Sequence, residues 1–215
     1  MIGAATSAGH YPLALFLLLG FALYPRPGEL LAVTPGQLVP PRPEAGSYAK
    51  FWSIHLFPSE WHTPGKTGEF DETLMLDWPE LHWVNPLLVM LTQRLPGQSV
   101  WAFDAVTLRT QFAAMARAAH ITHLHPTPYG LRHGGASHDA LTARRALSEI
   151  KKKGRWRSDQ SVRRYEKAAV AMKQLSRLPP EIVSYGMEIE KSLPDILLCR
   201  RDPIPPPTVV HHAGR

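Results

Sequence analysis

Four short stretches of the chain hold the residue types that chemistry on a phosphodiester needs. They are LYPRPGELLAV with Arg26 and Glu29, GKTGEFDETLMLD with Lys66, PYGLRHGGASHDAL with Arg132 and His133, and GRWRSDQSVRRYEK with Trp156 and Tyr165. Breaking a phosphodiester without a metal builds negative charge on the non-bridging oxygens, and preorganised cationic donors stabilise that charge. A guanidinium donates to phosphate oxygens in a planar fork and stays charged. A tyrosine hydroxyl belongs to the side chains that form covalent intermediates. Each residue also has a plain structural counterpart: Arg26 capping a helix end, Arg132 pairing with a carboxylate, Trp156 filling a core, and Tyr165 sitting on an amphipathic helix beside Arg163 and Arg164.

The elements that must position these residues follow from pattern and punctuation. The apolar run YPLALFLLLGFALY, residues 11–24, is too short for a membrane span and reads as a buried helix. Residues 1–10 contain no Lys or Arg, so the run lacks the positive flank of a signal peptide. Pro25, Pro27 and Gly28 then break the pattern, and a second short helix begins at Glu29, which places Arg26 at a helix junction. Residues 34–49, rich in Pro and Gly, read as a connection. FWSIHLF (51–57) and ETLMLD (72–77) are strand-compatible and predict a β-hairpin with Lys66 in or beside its loop. Helices are expected over 84–94, 105–120, 131–141, 143–152 and 158–178, the last capped by Ser158. From residue 179 the periodicity fades and prolines accumulate, so 179–215 reads as a flexible tail. The expected fold is mainly α with a small antiparallel β-sheet, an α+β class.

Charge adds direction. The chain of 215 residues carries a net +6, unevenly spread. Residues 105–177 hold fifteen Lys and Arg against four Asp and Glu, a net +11, whereas the flanking segments are balanced or acidic. Such a block suits a nucleic-acid face, with solvated helix surfaces as the alternative. Lys151, Lys152, Lys153, Arg155, Arg157, Arg163 and Arg164 are the candidate DNA contacts within it. The single cysteine, Cys199, rules out an intrachain disulfide and points to a reducing, intracellular compartment. His120, His123 and His125 have no fourth ligand and no cysteine nearby, so no metal site is expected, and no GxxxxGK[ST] loop occurs.

In their order and spacing the four stretches resemble the active-site boxes of the tyrosine recombinases, the phage-integrase family, in particular mobile-element members from eukaryotes. That family places an Arg three residues before a Glu at a helix start, then a hairpin Lys, then His-x-x-Arg, then a His or Trp nine residues before the nucleophilic Tyr. Arg26 and Glu29 match the first spacing, and Trp156 and Tyr165 the last. The resemblance spans about residues 11–178 and implies that 1–178 form a recombinase-like catalytic domain acting on double-stranded DNA. It implies a phosphate clamp of Arg26, Arg132 and Trp156, and Tyr165 forming a covalent 3′-phosphotyrosine. Lys66, preferred to Lys50, would act as general acid to the leaving 5′-oxygen, and Glu29 would support the arginine cluster. It further implies no cofactor, a tetramer on DNA, and nuclear location if the source is eukaryotic.

Two departures qualify the expectation. The family's His three residues before the second Arg is Tyr129 here, and a phenol is a poor base at neutral pH. His133, directly after Arg132, is read as structural because its helix neighbour points elsewhere. Family members also carry a core-binding domain before the catalytic one, whereas this sequence starts almost directly on the first catalytic-domain helix. A catalytically weakened DNA-binding module and a type IB topoisomerase-like activity are the alternatives.

Overall fold

In a computed structural model, which describes residues 1–66, 68–166 and 168–208, the apolar run near the N-terminus is the axis of the protein. Helix α1 (Ile2–Ser7) leads into α2 (Tyr11–Leu23), and ten of the thirteen residues of α2 are buried. A helix apolar on every side needs partners on every side. Here α6 (Gly130–Leu141) lies along one face of α2, with α1 and the sheet completing its surroundings. Tyr24 ends α2 in the left-handed conformation, φ 54°, and Pro25 and Pro27 prevent its continuation. The turn hands the chain to α3 (Pro27–Leu31), with Pro27 in the first turn and the Glu29 carboxylate accepting the Arg26 backbone N–H at 2.7 Å.

Three short strands form one antiparallel sheet in the order β1 (Leu38–Val39), β2 (Ser53–Leu56), β3 (Glu72–Met75). Ile54 pairs with Leu38 on one side and Leu74 on the other. Period-two alternation turns Leu38, Ile54, Leu56 and Leu74 into the same core as α2. The connection between β2 and β3 is closed at its base by Asp71, whose carboxylate accepts from the Ser59 backbone N–H at 3.0 Å and meets His55 Nε2 at 2.8 Å.

A 3-10 turn over Pro79–Val84 leads to α4 (Asn85–Thr92), and α5 (Ala105–Ala118) is capped by Asp104, which accepts from Thr107 N–H at 2.8 Å. After α6 come α7 (Leu147–Gly154), α8 (Asp159–Arg163), a 3-10 turn over Arg164–Glu166, α9 (Ala168–Leu175) and α10 (Pro180–Leu197). Ser158 caps α8 as expected, its Oγ accepting from Ser161 N–H. The architecture is mainly helical with a small antiparallel sheet. No helix among the described residues is long and apolar enough to cross a membrane.

Four local expectations need correction. Residues 180–197 are the longest helix among the described residues, folded against α1, where a flexible tail was expected. Ile182, Tyr185, Ile189, Leu193 and Ile196 recur at helical spacing, and Pro180 sits in the first turn, where a helix accepts proline. The chain beyond α10 is tied down through the Ile204 carbonyl, which accepts from Tyr185 Oη at 2.9 Å and Ser7 Oγ at 2.8 Å. His211 and His212 lie outside the described residues. The single helix expected over 158–178 is interrupted by the 3-10 turn that carries Tyr165. Residues 143–146 form a loop before α7, and the segment 34–49 contains β1.

The α2–α6 contact depends on glycine. A Cβ at Gly135 would collide with the backbone carbonyl of Phe21 and the ring of Tyr24. The backbone cannot rotate aside as a side chain can, so Gly135→Ala is expected to cost about 3 kcal/mol, the upper part of the range for overpacking. Urea denaturation of the variant measures this; an unchanged midpoint would show that the two helices do not meet so closely.

Candidate active site

Arg132 points from α6 into the angle between α2 and α7, where it is 1% exposed. Its Nη1 donates to the carbonyl of Tyr24, which the left-handed end of α2 turns inward, and its Nη2 donates to the carbonyl of Gly154 at the end of α7. The guanidinium carbon lies 4.4 Å from the ring centroid of Trp156, a stacked cation–π contact. Its Nε–H has no protein partner although it is buried. Burial, and next the charge of Arg155, lower the Arg132 pKa from its ordinary value. Gly154 serves twice, since a Cβ there would occupy the space of the Trp156 ring.

Tyr165 lies on the 3-10 turn, 3% exposed, in a small apolar cluster with Tyr24, Ala136, Ile150 and Val162. Its ring stands 5.1 Å from that of Trp156. Its hydroxyl is 2.6 Å from Nδ1 of His133. Burial raises the Tyr165 pKa, partly offset by the positive charges of Arg164 and Arg132. The His133 pKa is lowered by burial first and then by Arg164 and Arg132. At neutral pH the imidazole is therefore uncharged, and in the tautomer with its hydrogen on Nε2 its Nδ1 is the acceptor for the tyrosine O–H. Tyr129 is 44% exposed and sets its ring edge against His133, with centroids 5.0 Å apart.

A second tier of ion pairs holds the first turn of α3 against α7 and the sheet. Glu29 accepts from the Arg26 backbone and side chain and from both terminal nitrogens of Arg155, and Arg155 also reaches Glu72 at the start of β3. Burial alone would raise the pKa of Glu29, but its hydrogen bonds and charge contacts with Arg155 and Arg26 outweigh burial and hold it below the usual value. A depressed carboxylate pKa means stability that is full above the unfolded-state value and is lost as pH falls through the folded one. Glu29→Gln is therefore expected to lower stability near neutrality, with the gap from the parent narrowing below about pH 4. Melting curves across pH test this, and a gap that stays constant would remove Glu29 from the acid response.

Beneath Tyr24 runs a third network that sequence reasoning missed. Asp139, fully buried, accepts from Tyr24 Oη and from Arg145 Nε at 2.7 Å, and Asp77 joins Arg145 at 2.6 Å and Lys153 at 2.7 Å. Together with Arg132 this network fixes both ends of Tyr24.

The structure thus brings Arg26, Glu29, Arg132, His133, Trp156 and Tyr165 together from three of the four sequence stretches. Lys66 is exposed on the β2–β3 connection and Lys50 is exposed after a 3-10 turn; among the described residues neither touches this cluster. Two members of the expected DNA-facing set are placed differently. Lys153 is buried on Asp77, with Nζ 5.1 Å from the Tyr24 ring centroid, and Arg155 is committed to Glu29 and Glu72. Their acidic partners lie in distant stretches, and neither spacing nor composition reveals such pairing. Lys151 meets Asp159 at 2.6 Å in an exposed pair, while Lys152, Arg157, Arg163 and Arg164 remain on the surface. His123 meets the Arg177 carbonyl through Nε2 at 3.1 Å, and no metal-ligand group occurs among the described residues.

The arrangement sets a buried guanidinium, with one N–H uncommitted, and an imidazole beside a tyrosine hydroxyl. No family model, no curated protein and no solved structure matches this chain.

Proposed function

We propose that this protein cleaves and rejoins DNA strands through Tyr165, in the manner of the tyrosine recombinases it resembles, with the corresponding catalytic-domain fold. One observation carries the reading: the Tyr165 hydroxyl, hydrogen-bonded to His133, lies in one cluster with Arg132 and Trp156, although these residues span more than thirty positions of sequence. In this reading Tyr165 attacks the scissile phosphorus, the bond to the 5′-oxygen breaks, and a 3′-phosphotyrosine conserves the bond until a 5′-hydroxyl reverses the step. Arg132 holds positive charge beside the phosphorus through its stacked guanidinium and uncommitted Nε–H. Arg26 adds a second guanidinium at the mouth of the site, oriented by Glu29. Lys66 protonates the leaving oxygen only when the β2–β3 connection folds onto DNA, because in the free protein it stands apart. Lys152, Arg157, Arg163 and Arg164 supply contacts to the phosphate backbone around the site. The proposed partner is double-stranded DNA, engaged by several copies during exchange.

The burial of Tyr165 and the engagement of both Arg132 terminal nitrogens by backbone carbonyls favour a second reading, a DNA-binding module that does not cut. A pool of nicked suicide duplexes of randomised sequence separates the two. Under the first reading a denaturation-resistant protein–DNA adduct forms, and the captured DNA is enriched in one sequence. Capture without sequence preference would point to topoisomerase-like relaxation, and salt-sensitive binding without capture to the binding module.

A further inference from the structure

We infer that His133 is the catalytic base of this site, taking the phenolic proton of Tyr165 as its oxygen bonds to phosphorus. The inference rests on the strand-cleavage reading and assigns a proton acceptor that Tyr129, itself a phenol, cannot provide. Geometry is the first support. His133 Nδ1 is 2.6 Å from Tyr165 Oη, within the reach a general base needs. Position is the second: His133 is carried on α6, which is seated against α2 at Gly134 and Gly135, and its ring is braced by the edge of Tyr129. Competition is the third. Of the carboxylates in the adjoining ion-pair networks, Glu29 is committed to Arg26 and Arg155, and Asp139 to Tyr24 and Arg145.

Among the described residues, the charged and titratable groups facing His133 are Arg132 on its own helix, Arg164 and Tyr165 on the 3-10 turn, and Tyr129 before α6. Burial first, and then the two cations beside the ring, lower its pKa and favour the neutral, accepting imidazole. They also make the imidazolium a short-lived proton store. In the forward step the Tyr165 Oη–phosphorus bond forms, the phenolic proton moves to Nδ1, and the phosphorus–O5′ bond breaks with its electron pair on oxygen, which takes a proton from water or Lys66. On resealing the 5′-hydroxyl attacks, its proton is released, and Nδ1 returns a proton to the departing phenolate. No oxidant, metal or nucleotide enters the balance.

The test compares the parent protein with Tyr165→Phe, His133→Ala and His133→Asn on captured nicked duplexes, with ordinary or 5′-bridging phosphorothiolate linkages. Asparagine still accepts a hydrogen bond from Tyr165 through its amide oxygen but cannot take up a proton, so it keeps the local fold while removing the base. Both histidine variants are expected to bind DNA as the parent does and to form adduct roughly 10²-fold more slowly or worse, the lower end of general-base contributions. The parent rate is expected to rise with pH to a plateau, through a midpoint below the ordinary histidine value, and the variants to lack that rise. A sulfur leaving group needs no protonation, so the phosphorothiolate is expected to leave the histidine variants slow. His133→Asn protein forming adduct within a few-fold of the parent, with the same pH profile, would overturn the base assignment and leave strand cleavage standing. A parent protein that captures no DNA at any pH would overturn strand cleavage and the base role together.

Discussion

Tyr165→Phe protein is expected to form no covalent DNA adduct while remaining folded and binding DNA with undiminished affinity. The substitution removes one oxygen and nothing else. The ring keeps its contact with Trp156 and its place beside Ile150 and Val162. The loss is one hydrogen bond to His133, about 0.5–1.5 kcal/mol, and part of it returns because the new apolar edge is buried. Stability should therefore change by less than about 1 kcal/mol in either direction. A nucleophile, by contrast, has no substitute: without the hydroxyl no phosphotyrosine can form. Denaturing electrophoresis of the trapped complex, alongside a urea melt, separates the two effects. An adduct that persists in the variant would move the nucleophile to another residue.

Arg132→Ala is expected to give the opposite pattern, with stability and chemistry failing together. Arg132 is the bridge between two helix ends and, in the proposed reaction, the cation beside the phosphate. Its removal strands the inward carbonyls of Tyr24 and Gly154, each costing about 1–3 kcal/mol, and opens a void under Trp156. A combined loss of about 3–5 kcal/mol is a large part of the stability of a domain this size. Arg132→Lys tests the geometry separately from the charge. One ammonium cannot span both carbonyls and still stack flat on the indole, so this variant should recover only part of the stability and little of the capture rate. Urea midpoints in the order parent, lysine, alanine are the expected reading. Equal midpoints for parent and alanine would show that the two carbonyls find other donors.

Some of this was legible before any coordinates. A continuous apolar run can only be a buried helix, and the proline pair behind it puts Arg26 at a corner. Alternating apolar residues in 51–57 and 72–77 specify a hairpin with one face inward. Other features hid for physical reasons. β1 is only two residues long and is held by its partner strand more than by its own pattern. From its sequence α10 reads as part of a proline-rich tail, yet Pro180 in its first turn lacks only an N–H that a helix leaves unbonded, and the apolar stripe behind it decides the outcome. The contribution of His133 lay in a direction. Adjacent helix residues diverge by about 100°, so when Arg132 faces α7 its neighbour faces the turn that carries Tyr165. Divergence from Arg132 had suggested a structural role, and it is what brings His133 to the tyrosine. The burial of Lys153 and Arg155 was not legible at all, since it depends on Asp77, Glu72 and Glu29 arriving from elsewhere in the fold.

Helix α9 buries none of its side chains, and Val170, Met172 and Leu175 stand in solvent. Its downstream end is clasped to the rest of the protein where Arg177 Nη2 donates to the His123 carbonyl at 2.6 Å and the His123 ring meets the Arg177 carbonyl. Mechanically, α9 is therefore an exposed rod pinned at its downstream end. Lifting that rod costs almost no apolar burial, so among the described residues the resistance to its motion sits in the clasp between Arg177 and His123, and the surface around His123 becomes the handle by which α9 is held or released.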